Sequence, residues 1–203
     1  EDNWIKFLKP VSVGSNYKVI APWDSTGSNN EIIINPSIAF GTGHHETTSS
    51  CLELLLKIKY IFSLEKKIDS ILDIGTGSGI LSIFSLKVFK SQITAIDNDY
   101  DAIEQAKKNL KLNTNLSNID FQLKELDNIK NTYDLIIANI SIEYLLVNIY
   151  KIYEKLNPNS FLLISGFLFT RISSLNLLLI EEKFSIMSII HKNDWISMVI
   201  KKK

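Results

Sequence analysis

Cysteine, arginine, net charge and long apolar runs are all scarce in this 203-residue chain, and each scarcity excludes something. A single cysteine, Cys51, cannot form an internal disulfide. It lies in "SSCLELLL", where a small buried apolar residue fits. A core thiol is therefore favoured over a nucleophile, and a reducing cytosol is the expected setting. Arg171 is the only arginine, so the planar fork suited to gripping phosphates in pairs is nearly missing. Lysine plus arginine number 22 and aspartate plus glutamate 22, so no global field draws the chain to nucleic acid or to an acidic membrane. The terminal "KKK" reads as a solvated tail. No apolar run reaches the ~18 residues that span a bilayer. No signal peptide is expected, and a first residue that is glutamate predicts processing or the removal of something N-terminal to it. Internal repeats and low-complexity linkers are absent.

What is present is an ordinary globular composition, 45% apolar. A chain of this length buries about 70% of its unfolded surface and needs no disulfide or metal staple. From about residue 68 short branched-aliphatic runs alternate with helical ones. "IDSILDIG", "SQITAID", "IDFQL", "YDLIIANI" and "FLLISG" read as five strands. Between them "SGILSIFSLKVF", "DYDAIEQAKKNLKLN" and "IEYLLVNIYKIYEKL" read as helices. The second of these is amphipathic, with Ala102, Ile103, Ala106 and Leu110 on one face and Asp99 or Asp101 at its N-terminus. "NPNS" reads as a turn after the third helix, and "RISSLNLLLIEEK" as another helix. "FSIMSIIHK" and "WISMVIKK" close the chain as two strands only a hairpin apart. Strand–helix alternation predicts parallel strands with right-handed crossovers, and the short final connection predicts an antiparallel last strand. Ahead of this core, "YKVIAP" and "EIIINP" read as a small N-terminal pair of strands, an appended ribbon or lobe.

Two stretches carry chemistry. "NPSIAFGTGHHETT", residues 35–48, admits three readings: a metal site, a phosphate cradle, or a lid over another ligand. "LDIGTGSG", residues 72–79, ends a strand in a sheet where ligands bind beyond the carboxyl ends. Its spacing is G-x-G-x-G. A dinucleotide loop would place glycine where Ile80 stands, and a phosphate-binding Walker loop would need a lysine. Asp97, at the end of the next strand in "AIDND", lies about 20 positions after Gly75, the separation expected for an acid that takes ribose hydroxyls. Asp97 could instead cap the following helix, a task open to Asp99. Glycine loop and acid in register point to a nucleoside-type ligand.

"LDIGTGSG" followed by "AIDND" resembles the first two motifs of the class I S-adenosylmethionine-dependent methyltransferases. "ANIS" at 138–141 lacks the paired prolines and aromatic of enzymes that methylate adenine or glutamine amides. "AFGTGHHETT", "LDIGTGSGIL", "ANI" and "SGFL", in this order, resemble the bacterial methyltransferases of ribosomal large-subunit protein L-eleven. Trp4, Pro10, "APW" at 21–23 and "DW" at 194–195 also fit, so the resemblance covers essentially the whole chain.

That resemblance implies an α/β, Rossmann-like fold: a seven-stranded, mostly parallel sheet with an antiparallel last strand and a small N-terminal β lobe. Residues 1–40 are then linker and lobe, and 41–203 the methyltransferase domain. It implies S-adenosyl-L-methionine as cofactor, held by Thr48, Gly75, Asp97 and Asn139, with Asn139 at the reacting amine; Gly77 of the same glycine loop is expected beside it, and Gly41 and Gly43 let their loop fold over the cofactor so that Phe40 shields it. The acceptors implied are lysine side chains and the N-terminal amine of a ribosomal large-subunit protein, methylated in the cytoplasm by a monomer without direct nucleic-acid or membrane contact. Rival readings are an enzyme of this fold with another protein or small-molecule acceptor, and a degenerate cofactor-binding module. No metal is expected, since the adjacent His44 and His45 point apart and no Cys/His set completes a tetrahedron. The chain departs from the family in "NPS" for "DPG" and "GTGSG" for "GCGSG". It is also expected to lack the family's N-terminal recognition domain, which predicts that the chain methylates the isolated ribosomal protein slowly or not at all.

Overall fold

The structure is a computed structural model and describes residues 9–36, 45–64, 66–113, 119–175 and 184–203. Three short strands come first: β1 (Val11–Val13), β2 (Tyr17–Ile20) and β3 (Glu31–Ile33). β1 pairs antiparallel with β2, but β2 pairs parallel with β3. The expected two-stranded ribbon is thus a three-stranded sheet. The connection through residues 21–30 is too long for a hairpin and crosses over instead. It is pinned by the Glu31 carboxylate, which accepts from Ser25 Oγ at 3.0 Å and Thr26 Oγ1 at 2.6 Å.

The main sheet follows with its helices: α1 (Glu46–Lys57), β4 (Ser70–Ile74), α2 (Ile80–Phe89), β5 (Gln92–Asp97), α3 (Tyr100–Leu112), β6 (Ile119–Leu123), β7 (Tyr133–Asn139), α4 (Ile142–Glu154), β8 (Leu156–Leu168), β9 (Phe184–Lys192) and β10 (Trp195–Lys202). Its order is β6-β5-β4-β7-β8-β10-β9. β4 to β8 are mutually parallel, and β10 runs antiparallel to both its neighbours, as the sequence predicts. Ile172 to Leu175 begin the helix expected after β8; the rest of that helix lies outside the described residues. None of the described helices is long and apolar enough to cross a membrane.

Alternation along each strand divides the core in two. On β7, Leu135 and Ile137 join a cluster with α1, α2 and the lobe, while Ile136 and Ala138 join one with α4. A strand covered on both faces must be apolar throughout its middle, which is why "LIIA" lacks a polar alternate. α2 is equally unusual, because nine of its ten residues are buried. The lobe explains this. Tyr17 meets Phe84 edge to face at 5.4 Å, and Lys87 Nζ donates to the Glu31 carbonyl at 2.8 Å. α2 is enclosed between sheet and lobe, so it has no solvent face to make polar.

"NPNS" does turn, but inside β8. Leu156 pairs with Tyr133 and the next pair is Leu135 with Phe161, so residues 157–160 form an excursion within the strand, with Asn159 at φ +60°. Asp134 sits opposite and closes it. Its carboxylate accepts from Asn157 Nδ2 at 3.0 Å, Ser70 Oγ at 3.1 Å, and the backbone N–H groups of Asp69 and Ser70. Lys66 adds an ion pair at 3.3 Å and donates to the Pro158 carbonyl and Ser160 Oγ. Burial raises the Asp134 pKa, but the bonds from Asn157, Asp69, Lys66 and Ser70 outweigh it and hold the carboxyl below its ordinary value. A depressed folded pKa means that this stabilisation is complete above the ordinary carboxylate range and is lost as pH falls through the folded value. Asp134→Ala should therefore cost about 1.5–3 kcal/mol near neutral pH, the size of a charge-assisted bond set. Urea unfolding of both proteins at a series of pH values should show the gap closing in acid; a gap that persists unchanged there would remove the carboxylate charge from the account.

Candidate functional site

The glycine loop leaves β4 at Ile74, and its first two residues are fastened to the neighbouring strand. Gly75 N and Thr76 N both donate to the Ile96 carbonyl, at 2.9 and 3.0 Å, which ties the loop to β5. Beneath it Asp73 is buried, its Oδ2 accepting from Thr76 Oγ1 at 2.8 Å and Ser82 Oγ at 2.6 Å. Burial pushes the Asp73 carboxyl up to about 6; the Ser82 and Thr76 bonds restrain the rise, and the nearby Asp97 charge adds to it. Gly79 caps α2 at φ +80°, and a Cβ there would stand 2.9 Å from Ala106 Cβ. Only glycine allows both that dihedral and that approach of α3. A Cβ on Gly75 would meet Ile140 Cγ2 at 2.6 Å, so the loop and the end of β7 are in close contact.

Asp97 ends β5 beside this loop. Its Oδ2 accepts from Gly77 N at 2.9 Å and its Oδ1 from Asp99 N at 3.1 Å. It does not cap α3; Asp99 does, accepting from Asp101 N at 2.8 Å. Each Asp97 oxygen retains a second acceptor direction.

These groups line a cavity of about 610 Å³. That is within the usual range of small-molecule sites. Of the residues picked out from the sequence, Thr48, Gly75, Gly77, Asp97 and Asn139 all lie on its wall, drawn from α1, the glycine loop, β5 and β7. Phe40, with Gly41, Gly43 and His44, lies outside the described residues. Thr48 is 1% exposed, and its Oγ1 has no hydrogen-bond partner among the described residues. A buried hydroxyl left unpaired on a cavity wall costs stability and marks where a polar ligand atom would be accepted.

The sequence reading missed the far wall. It is built by Leu126, after β6, and by Tyr144, Asn148 and Lys151 on α4. Their i, i+4, i+7 spacing lines them along one side of α4, but the sequence carries no signal that sets this side apart from the helix's other polar positions such as Glu143 and Glu154. Burial raises the Tyr144 pKa, and the charges of Asp127 and Glu125 add to it. Lys151 pairs with Asp127 at 2.7 Å in an exposed position, a bond of little energetic weight.

Two residues singled out early have structural roles. His45 Nδ1 contacts Thr47 Oγ1 at 2.8 Å and caps α1, and its ring meets Trp195 edge-on at 4.9 Å. Cys51 is fully buried and burial pushes its thiol up to about 12, which suits the core reading and not a nucleophile. Among the described residues no three His, Cys, Asp or Glu side chains converge on a metal position.

Comparison with known proteins narrows the chemistry of this cavity. Over residues 1–203 the chain matches the family Ribosomal protein L11 methyltransferase (PrmA). The ribosomal protein L11 methyltransferase of Geotalea uraniireducens (strain Rf4) is 36% identical over 176 residues, 82% of this chain and 56% of that protein. Its counterpart from Bacillus pumilus (strain SAFR-032) is 32% identical over 204 residues, 98% of this chain and 64% of that protein. The chain thus spans 56% and 64% of the length of these relatives. The crystal structure of a ribosomal protein L11 methylase from Lactobacillus delbrueckii subsp. bulgaricus superposes with a TM-score of 0.83 at 25% identity, covering 97% of this chain and 100% of that one. The plantazolicin methyltransferase BpumL, solved in complex with SAH, shares the fold with a TM-score of 0.58 at 16% identity, over 73% of this chain and 81% of that one.

The orphaned hydroxyl gives a test that needs no ligand. Thr48→Val keeps the branched shape and deletes the unpaired oxygen. It should leave the fold intact and stabilise it by about 1 kcal/mol, because a buried group without a partner is removed. Urea unfolding measures this; a loss of stability would mean that the hydroxyl is already satisfied.

Proposed function

Since this chain belongs to the ribosomal protein L11 methyltransferase family, we propose that its cavity binds S-adenosyl-L-methionine and directs the methyl group to amines of a ribosomal large-subunit protein, lysine side chains and the N-terminal amine. The observation that carries this reading is the convergence of the glycine loop, Asp97, Thr48 and Asn139 on one cavity wall.

The residues present suit such a ligand. Asp97 offers two oxygens in one plane, each with acceptor capacity left over, as a ribose diol requires. Thr48 Oγ1 is a buried polar atom in need of a partner. Leu126, 1% exposed, supplies apolar surface at the far wall. When bound, S-adenosylmethionine supplies a methyl group on a positive sulfonium that leaves as a neutral thioether.

What remains for the chain is alignment and water exclusion, and positioning of this kind supplies most of a rate enhancement. An acceptor lysine has an ordinary pKa near ~10.4 and must lose its proton before attack. Ile140 and Leu81 line the same cavity and make the surroundings partly apolar, which disfavours the ammonium. Asn139 stands at the end of β7, opposite Ser165 in the ladder, and its side-chain carbonyl is an acceptor for the amine N–H. That bond would turn the nitrogen lone pair toward the methyl group. No side chain on the wall is assigned as general base.

Calorimetry with S-adenosylmethionine, with and without a chelator, should show one site unaffected by chelation. Transfer of labelled methyl to isolated ribosomal protein L11 then tests the acceptor. Asp97→Ala should weaken cofactor binding by about 1.5–3 kcal/mol, roughly 10- to 150-fold, while circular dichroism shows a folded protein. No cofactor binding by the unmodified chain would overturn the proposal; binding without transfer to the ribosomal protein, both by the chain alone and by a fusion carrying a family recognition domain ahead of Glu1, would overturn the acceptor alone.

A further inference from the structure

Asn109 sits where α3 should be apolar. The buried face of this helix runs Ala102, Ile103, Ala106, and Asn109 continues it with no exposed surface. A side-chain amide on such a face is costly unless both of its ends are satisfied. Both are. Nδ2 donates to the Ser78 carbonyl at 2.8 Å, and Oδ1 accepts from Asn35 N at 3.0 Å. Ser78 belongs to the glycine loop and follows Gly77, whose N–H is held by Asp97. Asn35 follows β3, and Thr48, 13 positions later in the sequence, lies on the cavity wall.

The neighbouring amide makes the contrast. Asn113, one turn on, accepts from Ile33 N at 3.0 Å and donates to Ile33 O at 2.9 Å and to the Asn109 carbonyl at 2.8 Å. It treats β3 as a neighbouring strand would. Its bonds to the lobe match those of Asn109 in kind, but none of them reaches the glycine loop.

Building on the cofactor reading above, we infer that Asn109 is a positioning residue that couples occupancy of the cavity to the backbone at Asn35. An amide is one rigid plane, so its oxygen and nitrogen cannot be aimed independently. A ligand that rests on the wall at Ser78 fixes the Ser78–Gly79 peptide and with it the Ser78 carbonyl, hence the Asn109 plane, hence the acceptor offered to Asn35 N–H. The wall made by the glycine loop and the departure of the chain toward Thr48 are thereby set by the same side chain. Asn109 touches neither cofactor nor acceptor in this scheme; it acts through the loop.

The experiment compares unmodified protein, Asn109→Ala and Asn113→Ala, using S-adenosylhomocysteine as the probe. Both variants should unfold at lower urea concentration than the parent. Calorimetry should show affinity lowered about tenfold in Asn109→Ala and within about twofold of the parent in Asn113→Ala, the loss of one well-made bond in the first case and none in the second. In the unmodified protein, saturating probe should slow amide exchange at Asn35 about tenfold and leave Lys18, bonded to the Asn30 carbonyl within the lobe, unchanged. If Asn109→Ala does not fold, the Asn35 exchange decides alone. Unaltered exchange at Asn35, or equal affinities in the two variants, overturns the coupling while the cofactor reading stands. A parent protein that binds no probe overturns the cofactor reading and this inference with it.

Discussion

The Asp73 carboxylate is the fixed point of the carboxyl edge of the sheet. It is buried at the end of β4 with hydroxyls as its hydrogen-bond partners, and a charge so placed demands that those partners stay. Thr76 is thereby held at the turn and Ser82 in the first full turn of α2. The loop between them has little freedom left, and its N–H groups fall onto the Ile96 carbonyl and the Asp97 side chain. One carboxylate thus joins β4, α2 and β5. Because its pKa is raised to about 6, ionising it works against the fold as pH climbs through that value, the opposite sense to Asp134. The two acids flank the same sheet at opposite ends of its strands.

Around that edge the packing is arranged to keep α2 and α3 still. α2 is enclosed between sheet and lobe, so the lobe replaces the solvent that would normally face a helix of this kind. α3 meets the loop through Gly79 on Ala106 and through Asn109 on Ser78. A cavity wall made of backbone is only as precise as the helices behind it, and here both helices are held from outside by the same three short strands.

Much of this was legible in the residue pattern. Branched-aliphatic runs gave the five parallel strands, and the short "KND" connection gave the antiparallel last one, because burial on two faces and hairpin length leave direct traces in sequence. The N-terminal sheet was read as a pair because β1 is only "VSV", without the run of isoleucines that marks the equally short β3. Its parallel pairing was hidden because nothing in "APWDSTGSNN" reveals which way the chain turns back. "NPNS" was recognised as a turn, but its place inside β8 depends on Asp134 and Lys66, which are distant in sequence. Gly75, Gly77 and Asp97 stood out through spacing, Thr48 and Asn139 came from family resemblance, and Phe40 from its place beside Gly41. The structure puts Thr48 and Asn139 on the cavity wall, and Phe40 lies outside the described residues. Tyr144, Asn148 and Lys151 were missed because helical periodicity marks the face that packs and is silent about a flank that meets a ligand. Asn109 was passed over for a related reason: an isolated asparagine on an apolar face looks like an irregularity until its two partners are known.

The place of β10 between β8 and β9 bears on how the molecule assembles. Within the sheet β9 touches only β10, so it has no partner of its own among the parallel strands. The two-residue Asn193–Asp194 connection, with Asn193 at φ +51°, lets β9 and β10 find each other locally. Hairpins of this kind form on a timescale of about 1–10 μs, much faster than distant strands meet. Pairing of β9 with β10 thus closes only a two-residue loop, whereas β9 is tied to the five parallel strands solely through β10.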